Sequence, residues 1–106
     1  MLVVTSPDIP GKKIVKTLGI VKGNTIRARH IGKDILAAFK NIVGGEIQEY
    51  TKLMAESREQ AIDRMIESAE KMGANAIIST ITTTSVISQG AAELLVLGTA
   101  VVIEDG

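Results

Sequence analysis

The last third of the chain contains the pattern that most limits its fold. A run rich in Ile, Thr and Val covers residues 76–87, and a second apolar run covers residues 93–103. β-branched residues at this density predict two strands joined as a terminal β-hairpin. Both alternating sets of side chains on the second strand are apolar: Leu95, Leu97, Val101 and Ile103 on one side, and Leu94, Val96, Ala100 and Val102 on the other. Both faces of this strand therefore have to be covered.

The clearest helical pattern lies between Glu46 and Met72. Its apolar residues fall on one broad face of a helix, as the 3.6-residue period requires: Ile47, Tyr50, Met54, Ala61, Met65, Ala69 and Met72. Gly73 follows, and a glycine in the left-handed αL conformation commonly ends a helix. At 1.5 Å per residue, an unbroken helix over this range would be about 40 Å long. The sheet of a small domain is usually covered by a shorter helix, so part of this helix is expected to project toward a neighbouring molecule.

The first half of the chain predicts shorter elements. Leu2–Val4 favours a brief strand, and a loop with two prolines follows over Thr5–Lys13. Ile14–Val21 and Thr25–Arg29 favour strands, and Gly23-Asn24 between them offers the positive-φ residues of a hairpin turn. A short helix is predicted from apolar residues spaced by three and four and followed by Gly44-Gly45: Ile35, Ala38, Phe39 and Ile42.

Length and composition indicate one aliphatic core. A chain of 106 residues is close to the usual size of one domain, so residues 1–106 are predicted to form a single domain. Phe39 and Tyr50 are its only aromatic residues, so the packing has to come from Ile, Val, Leu, Ala and Met. The absence of Cys excludes disulfides, thiolate metal sites and a Cys nucleophile.

Charge and hydropathy argue against two classes of partner. Twelve basic residues balance twelve acidic ones, so no net positive field attracts nucleic acid or an anionic membrane. The basic stretch Arg27-Ala28-Arg29-His30 is typical of a solvated strand end. No apolar run approaches the roughly 20 residues of a membrane span, and Met1–Val4 is too short for a signal peptide. We expect a cytoplasmic protein that binds neither nucleic acid nor membrane.

The two apolar faces of the last strand also predict self-association. Two helices in so short a chain can cover one face of a sheet but not both. Burying one aliphatic side chain contributes about 1.5 to 3 kcal/mol, so several exposed ones would make a sticky patch on a monomer. A homo-oligomer is the simplest way to cover the second face.

Five ordered blocks of sequence resemble a known family. They are Gly19-Ile20-Val21-Lys22-Gly23, Asn41-Ile42-Val43-Gly44-Gly45-Glu46 with Tyr50, Arg58-Glu59-Gln60-Ala61, Gly73-Ala74-Asn75-Ala76-Ile77-Ile78 and Gly98-Thr99-Ala100-Val101. Their order and spacing are similar to those of the YbjQ-like family of uncharacterised small proteins, over nearly the whole chain. The resemblance implies an α+β fold of the β-α-β-β, dodecin-subunit-like type, with two helices on one face of a mainly antiparallel sheet. It also implies a ring, commonly a pentamer, and no established activity.

The family that these blocks resemble is also labelled "putative heavy-metal-binding", which directs attention to possible metal ligands. His30 and Asp34 are four residues apart and could share a helix face. Zinc usually takes three or four protein ligands, so Glu46, Glu49 or a second subunit would have to contribute. The candidate metal ligands are therefore His30, Asp34 and Glu46, with a solvated His30 as the simpler alternative. The lack of Cys argues against a Cys-x-x-Cys metal loop.

No catalytic residue and no cofactor is predicted. His30 is the only imidazole, and no Ser-centred elbow motif accompanies it.

Gly98 inside a strand suggests a bulge or a close backbone approach, which a ring interface could supply. Asn75 could hydrogen-bond the turn after the helix. The preferred hypothesis is a homo-oligomer with a small-ligand or metal site at subunit contacts, and the alternative is an enzyme with a composite active site shared between subunits.

Overall fold

A computed structural model describes residues 1–27, 47–88 and 91–106. Four strands and one helix lie in these ranges: β1 Leu2–Val3, β2 Lys12–Arg27, α1 Ile47–Lys71, β3 Ala76–Ser88 and β4 Ala91–Asp105. The long helix and the terminal hairpin are confirmed. The short helix predicted around Ile35 to Ile42 lies outside the described residues.

The four strands form one sheet in the order β1-β3-β4-β2. The apolar strand β4 lies in the interior and is antiparallel to both of its neighbours, β3 and β2. Only β1 runs parallel to its partner, with Leu2 opposite Ala76 and Val3 opposite Ile77. The fold is therefore α+β with a mixed sheet, and β2, α1, β3 and β4 follow one another in the predicted β-α-β-β order.

The hairpin predicted at Gly23-Asn24 is wrong. β2 continues through both residues and pairs with β4 from Lys12, opposite Asp105, to Arg27, opposite Ala92. Gly23 has a different role, because α1 crosses directly above it. A Cβ atom at Gly23 would lie 2.0 Å from the carbonyl oxygen of Ala61 and 2.5 Å from the backbone nitrogen of Met65. Glycine serves close helix-to-sheet contact here, not a turn.

α1 covers one side of the sheet, which we call the helix face. The buried cluster on this face combines Ala61, Met65 and Ala69 of the helix with four residues of the strands, Val21, Ile77, Val96 and Ala100. Small residues on α1 suit the short distance that Gly23 permits. The helix ends as predicted at Gly73, whose φ is +87°.

Two hydrogen bonds define that helix end. The N–H of Gly73 donates to the carbonyl of Glu70, and the N–H of Ala74 donates to the carbonyl of Ala69. This pair of bonds is a Schellman motif, which satisfies carbonyls that the last helical turn leaves free. Ala74 also packs against the core cluster that contains Ala69. The chain is thereby turned directly from α1 into β3.

On the opposite side of the sheet, the outer face, the described residues form a buried cluster at one end only. Ala76, Ile78 and Val101 are buried there. Four partly buried residues pack against them, two from the N-terminal segment and two from the strands: Val4, Ile9, Ile14 and Ile103. We call this end of the sheet proximal and the end near residues 88–91 distal. The N-terminal segment thus supplies a cover that the sequence prediction did not anticipate.

The molecule is elongated. Its principal extents are 55 × 24 × 17 Å, and its radius of gyration is 17.1 Å. A compact domain of this length would have a radius of gyration of about 13 Å. The sixteen residues of β2 explain the long axis, since an extended strand of that length spans about 53 Å. The distal hairpin therefore extends well beyond the part of the sheet that is covered on both faces.

Candidate functional site

The distal half of the outer face presents apolar side chains to solvent. Residues directly opposite one another in an antiparallel pair share a face, so the register places Ile81 beside Leu97 and Thr83 beside Leu95 on this side. Exposed isoleucines flank them: Ile20 is 75% exposed, Ile26 56% and Ile81 54%. We call this group the distal outer patch; it comprises Ile20, Ile26, Ile81, Leu95 and Leu97.

The patch exists because the cover from the N-terminal segment ends at the bulge of β3. The N–H groups of Ser79 and Thr80 donate to the carbonyls of Ser6 and Val4, at 2.9 and 3.1 Å. Among the described residues, no later residue of the N-terminal segment makes a backbone hydrogen bond to β3. Leu95 and Leu97 on the central strand are half-buried and lie beyond this cover.

Polar groups lie among the patch residues on β2, because Lys22 and Asn24 alternate with Ile20 and Ile26. Asn24 Nδ2 donates to Glu93 Oε2 at 3.1 Å, across the outer face. Arg64 Nη1, which comes from α1, donates to the backbone oxygen of Asn24 at 2.6 Å. Lys22 lies opposite Leu97 in the register. A mixture of apolar and polar side chains is usual in a protein–protein contact surface.

The bulge in β3 lies opposite Gly98. Two residues, Ser79 and Thr80, occupy the space between the pairs Ile78–Thr99 and Ile81–Leu97. Ser79 adopts a φ of +53°, which is uncommon for a non-glycine residue and fits a β-bulge. A Cβ atom at Gly98 would lie 2.6 Å from Ile77 Cγ2 and 3.0 Å from Thr80 Oγ1.

The prediction of a bulge or close approach at Gly98 is therefore confirmed, but the approaching atoms belong to β3 of the same chain. No second subunit is needed to explain the glycine. The hydroxyl of Thr80 is buried and has no hydrogen-bond partner among the described residues. A buried hydroxyl without a hydrogen-bond partner usually lowers the stability of the folded state by about 1 to 3 kcal/mol.

Asn75 extends the ladder between β3 and β4. Its Nδ2 donates to the carbonyl oxygen of Ile103 at 2.9 Å, and the N–H of Ile103 donates to Asn75 Oδ1 at 2.7 Å. Its own backbone N–H donates to the carbonyl of Val101 at 3.1 Å. The side-chain amide thus imitates a further pair of strand bonds. The sequence predicted a hydrogen bond to the turn after the helix, whereas the side chain bonds Ile103 of β4.

An ion pair closes the proximal end of the sheet. Lys12 Nζ lies 2.5 Å from Asp105 Oδ1, at the point where β2 begins and β4 ends. The hydrogen bond and the charge of Lys12 hold the pKa of the Asp105 carboxyl below its ordinary value. Both side chains are exposed, so this pair contributes little to stability.

The candidate metal ligands His30, Asp34 and Glu46 all lie outside the described residues. Within the described ranges, no three His, Cys, Asp or Glu side chains come close enough to hold a metal ion. The carboxylates Glu56, Glu59 and Asp63 are exposed on α1, as on an ordinary solvated helix face. In the same part of the chain, no helix is long and apolar enough to cross a membrane.

A family model described as "Putative heavy-metal-binding", YbjQ, matches residues 1–104. The chain belongs to the YbjQ family. The resemblance identified from the five sequence blocks is thereby confirmed. Curated relatives carry only the name UPF0145 protein. One from Clostridioides difficile is 55% identical over 105 residues, covering 99% of this chain and 94% of the relative. One from Dehalococcoides mccartyi is 54% identical and covers 98% and 100%.

A solved structure supports the fold alone. A protein of unknown function from Pediococcus pentosaceus, assigned to the DUF74 family, superposes on this YbjQ-family chain with a TM-score of 0.65. The match covers 98% of both chains at 16% sequence identity.

Sequence reasoning located the apolar outer side of β4 but missed the flanking isoleucines that make it a patch. Ile20 and Ile81 were both visible as strand residues. Their position on one face depends on the register of β2 and β3 with β4, which the pattern of a single strand does not give. The alternation of Ile20, Lys22, Asn24 and Ile26 was the available indication, and the expected turn at Gly23-Asn24 concealed it.

Proposed function

We propose that this YbjQ-family protein is a self-assembling subunit whose distal outer patch packs against further copies of the chain. The observation that supports the proposal is the apolar outer face beyond the N-terminal cover, where Leu95 and Leu97 lie half-buried between exposed isoleucines. A single exposed aliphatic residue is ordinary, but several on one face of three neighbouring strands are typical of an interaction site.

The partner that we propose is a second copy of the same chain. Fully burying one aliphatic side chain contributes about 1.5 to 3 kcal/mol, so covering the five residues of the patch yields a substantial part of an association energy. Homo-oligomers are usually closed and symmetric, and a ring is one such closure. We propose a cytoplasmic ring, with five copies as the family resemblance implies.

A small ligand or a metal ion at the subunit contacts belongs to the same proposal. The hydrogen-bonded group of Arg64, Asn24 and Glu93 adjoins the patch and provides charge of both signs beside an apolar surface. Binding sites often form where such polar groups meet an apolar interface. The alternative of an enzyme with a composite active site requires reactive groups from two subunits to converge in the same place.

Native mass spectrometry with a matched pair of variants tests this proposal. The wild-type protein is expected at a multiple of 11.2 kDa. Ile20→Lys places a charge in the patch and is expected to shift the protein to the monomer mass. Val15→Lys, a change at a 43%-exposed residue of the same strand, is the control and should keep the wild-type mass.

Two results would contradict the proposal: a monomeric wild-type protein, or an Ile20→Lys variant that keeps the full assembly. The same spectra report any retained small molecule or metal ion. A retained molecule lost together with the assembly would place its site at the subunit contacts. One retained by the monomer would show that its site lies within a single subunit.

A further inference from the structure

The N-terminal segment, residues 1–11, covers the proximal end of the outer face. Two of its side chains, Val4 and Ile9, pack against the buried cluster on that face. The cluster consists of three residues of the sheet: Ala76, Ile78 and Val101. None of the three is more than 9% exposed. Because α1 lies on the other face, the N-terminal segment is part of what keeps this cluster from solvent.

The N-terminal segment has few of the contacts that hold a segment in place. No residue from Met1 to Gly11 is itself buried, and its best-covered side chains are only partly buried. Its regular structure is limited to the two residues of β1. Beyond β1, backbone hydrogen bonds join it to β3 at Ile77, Ser79 and Thr80. Segments with few buried contacts open at a lower free energy than the core of a protein.

α1 holds the opposite face of the sheet more firmly. Its residues Ala61, Met65 and Ala69 are fully buried in the helix-face cluster. Ser57 of α1 is also fully buried, and its carbonyl oxygen accepts a hydrogen bond from the buried hydroxyl of Thr25 on β2, at 3.2 Å. The two covers of the sheet therefore differ in strength, and the cover of the outer face is the weaker one.

We infer that the N-terminal segment opens by itself, while α1 and the other three strands stay folded. Opening breaks its hydrogen bonds to β3 and exposes Ala76, Ile78 and Val101. These residues lie on the same face as Leu97 of the distal outer patch, because alternate residues of β4 lie on one side of the sheet. The open segment thus extends the apolar surface of the patch into the proximal half.

This opening controls how much of the outer face is available for contact. With the segment closed, the apolar surface for packing further copies is limited to the distal half. With the segment open, that surface includes the proximal cluster as well. Only this use of the surface rests on the proposed self-association. The opening itself is a property of the single subunit.

Thiol labelling measures the opening, because the chain has no Cys of its own and a buried thiol does not react until it is exposed. Val101→Cys places the probe beneath the N-terminal segment. Val96→Cys is the matched control, a valine of the same strand that is also 0% exposed but packs beneath α1. In the Ile20→Lys background, a small maleimide is expected to label Val101→Cys at least about tenfold faster than Val96→Cys.

Urea at low concentration distinguishes local opening from unfolding of the whole subunit. Opening a short segment exposes little surface, so the labelling rate of Val101→Cys should rise only slightly with urea. The rate of Val96→Cys should rise steeply, because its exposure requires α1 to leave the sheet. Ala76→Cys and Ala100→Cys, on opposite faces and both 0% exposed, repeat the comparison without removing buried volume and should give the same order of rates.

Equal labelling rates on the two faces, with the same steep dependence on urea, would overturn the inference. The N-terminal segment would then open only when the whole subunit unfolds. The mass of the Ile20→Lys variant in native mass spectrometry tests the proposed function separately. If that variant keeps the wild-type assembly, the proposed contact between copies fails, while the ratio of the labelling rates still decides whether the segment opens.

Discussion

The proximal and distal halves of this sheet are built from similar strands but are covered differently. In the proximal half, α1 packs on the helix face and the N-terminal segment packs on the outer face, over Ala76, Ile78 and Val101. In the distal half, the buried strand residues within residues 1–27, 47–88 and 91–106 lie on the helix face, such as Val96 and Leu94, while Ile26 and Ile81 on the outer face are exposed. The proximal half holds the subunit together, and we propose that the distal half associates with further copies of the chain.

Residues that look alike in the sequence also differ in what surrounds them. Gly23 and Gly98 fit against neighbouring atoms of the same chain. Thr80 is packed in the bulge, whereas Thr82 and Thr84 lie exposed on the distal hairpin. Substitutions at the packed positions should change the free energy of unfolding, and those at the exposed positions should change it little.

The largest expected effect comes from Gly23→Ala. The added Cβ would meet the backbone of α1, at the carbonyl of Ala61 and the nitrogen of Met65, and backbone atoms cannot move aside as a flexible side chain can. We expect a loss of about 3 kcal/mol in the free energy of unfolding, at the upper end of overpacking costs. Chemical denaturation measures it, with the neighbouring Lys22→Ala expected within about 0.5 kcal/mol of wild type. Equal stability of the two variants would contradict the helix position.

Gly98→Val is expected to cost about 2 kcal/mol through overpacking against Ile77 and Thr80 of the same subunit. Its effect is predicted to appear in the folding of the subunit, unlike the ring-interface role considered from the sequence. Denaturation curves of a dissociated background, such as Ile20→Lys, isolate that effect. If Gly98→Val leaves those curves unaltered and only dissociates the assembly, Gly98 lies at a contact between subunits.

Asn75→Ala removes both side-chain bonds to Ile103 and is expected to lower the free energy of unfolding by about 1 to 2 kcal/mol. Asn24→Ala is the matched control, because it loses one exposed bond to Glu93 and should cost about 0.5 kcal/mol or less. Thermal unfolding of the two variants side by side gives the difference. If the two asparagines prove equivalent, the side chain of Asn75 does not act as part of the ladder.

Thr80→Val has the smallest expected effect and the opposite sign. The change replaces an unpartnered buried hydroxyl with a methyl group of similar size, so stability should rise by about 1 kcal/mol. The exposed Thr82→Val is the control, with little change in subunit stability. A fall in stability for Thr80→Val would indicate that the hydroxyl makes a hydrogen bond within the folded protein.

Local chemistry made part of this fold predictable. The density of β-branched residues predicted β3 and β4, and the apolar face followed by Gly73 predicted α1 and its end. The sequence could not decide what Gly23 does, since a glycine beside Asn suits a turn and a close helix contact equally well. That choice depends on the position of Ala61, far away in the chain. The distal outer patch was half visible, because β4 shows its own two faces but not the strands beside it.

Sedimentation equilibrium of the wild-type protein over a range of micromolar concentrations tests the central claim most directly. The claim is that the open outer face of the distal half is covered by further copies of the chain. It predicts a stable species several times heavier than 11.2 kDa, and a shift to the monomer mass for Ile20→Lys but not for Val15→Lys. A wild-type protein that sediments at 11.2 kDa throughout that range would contradict it.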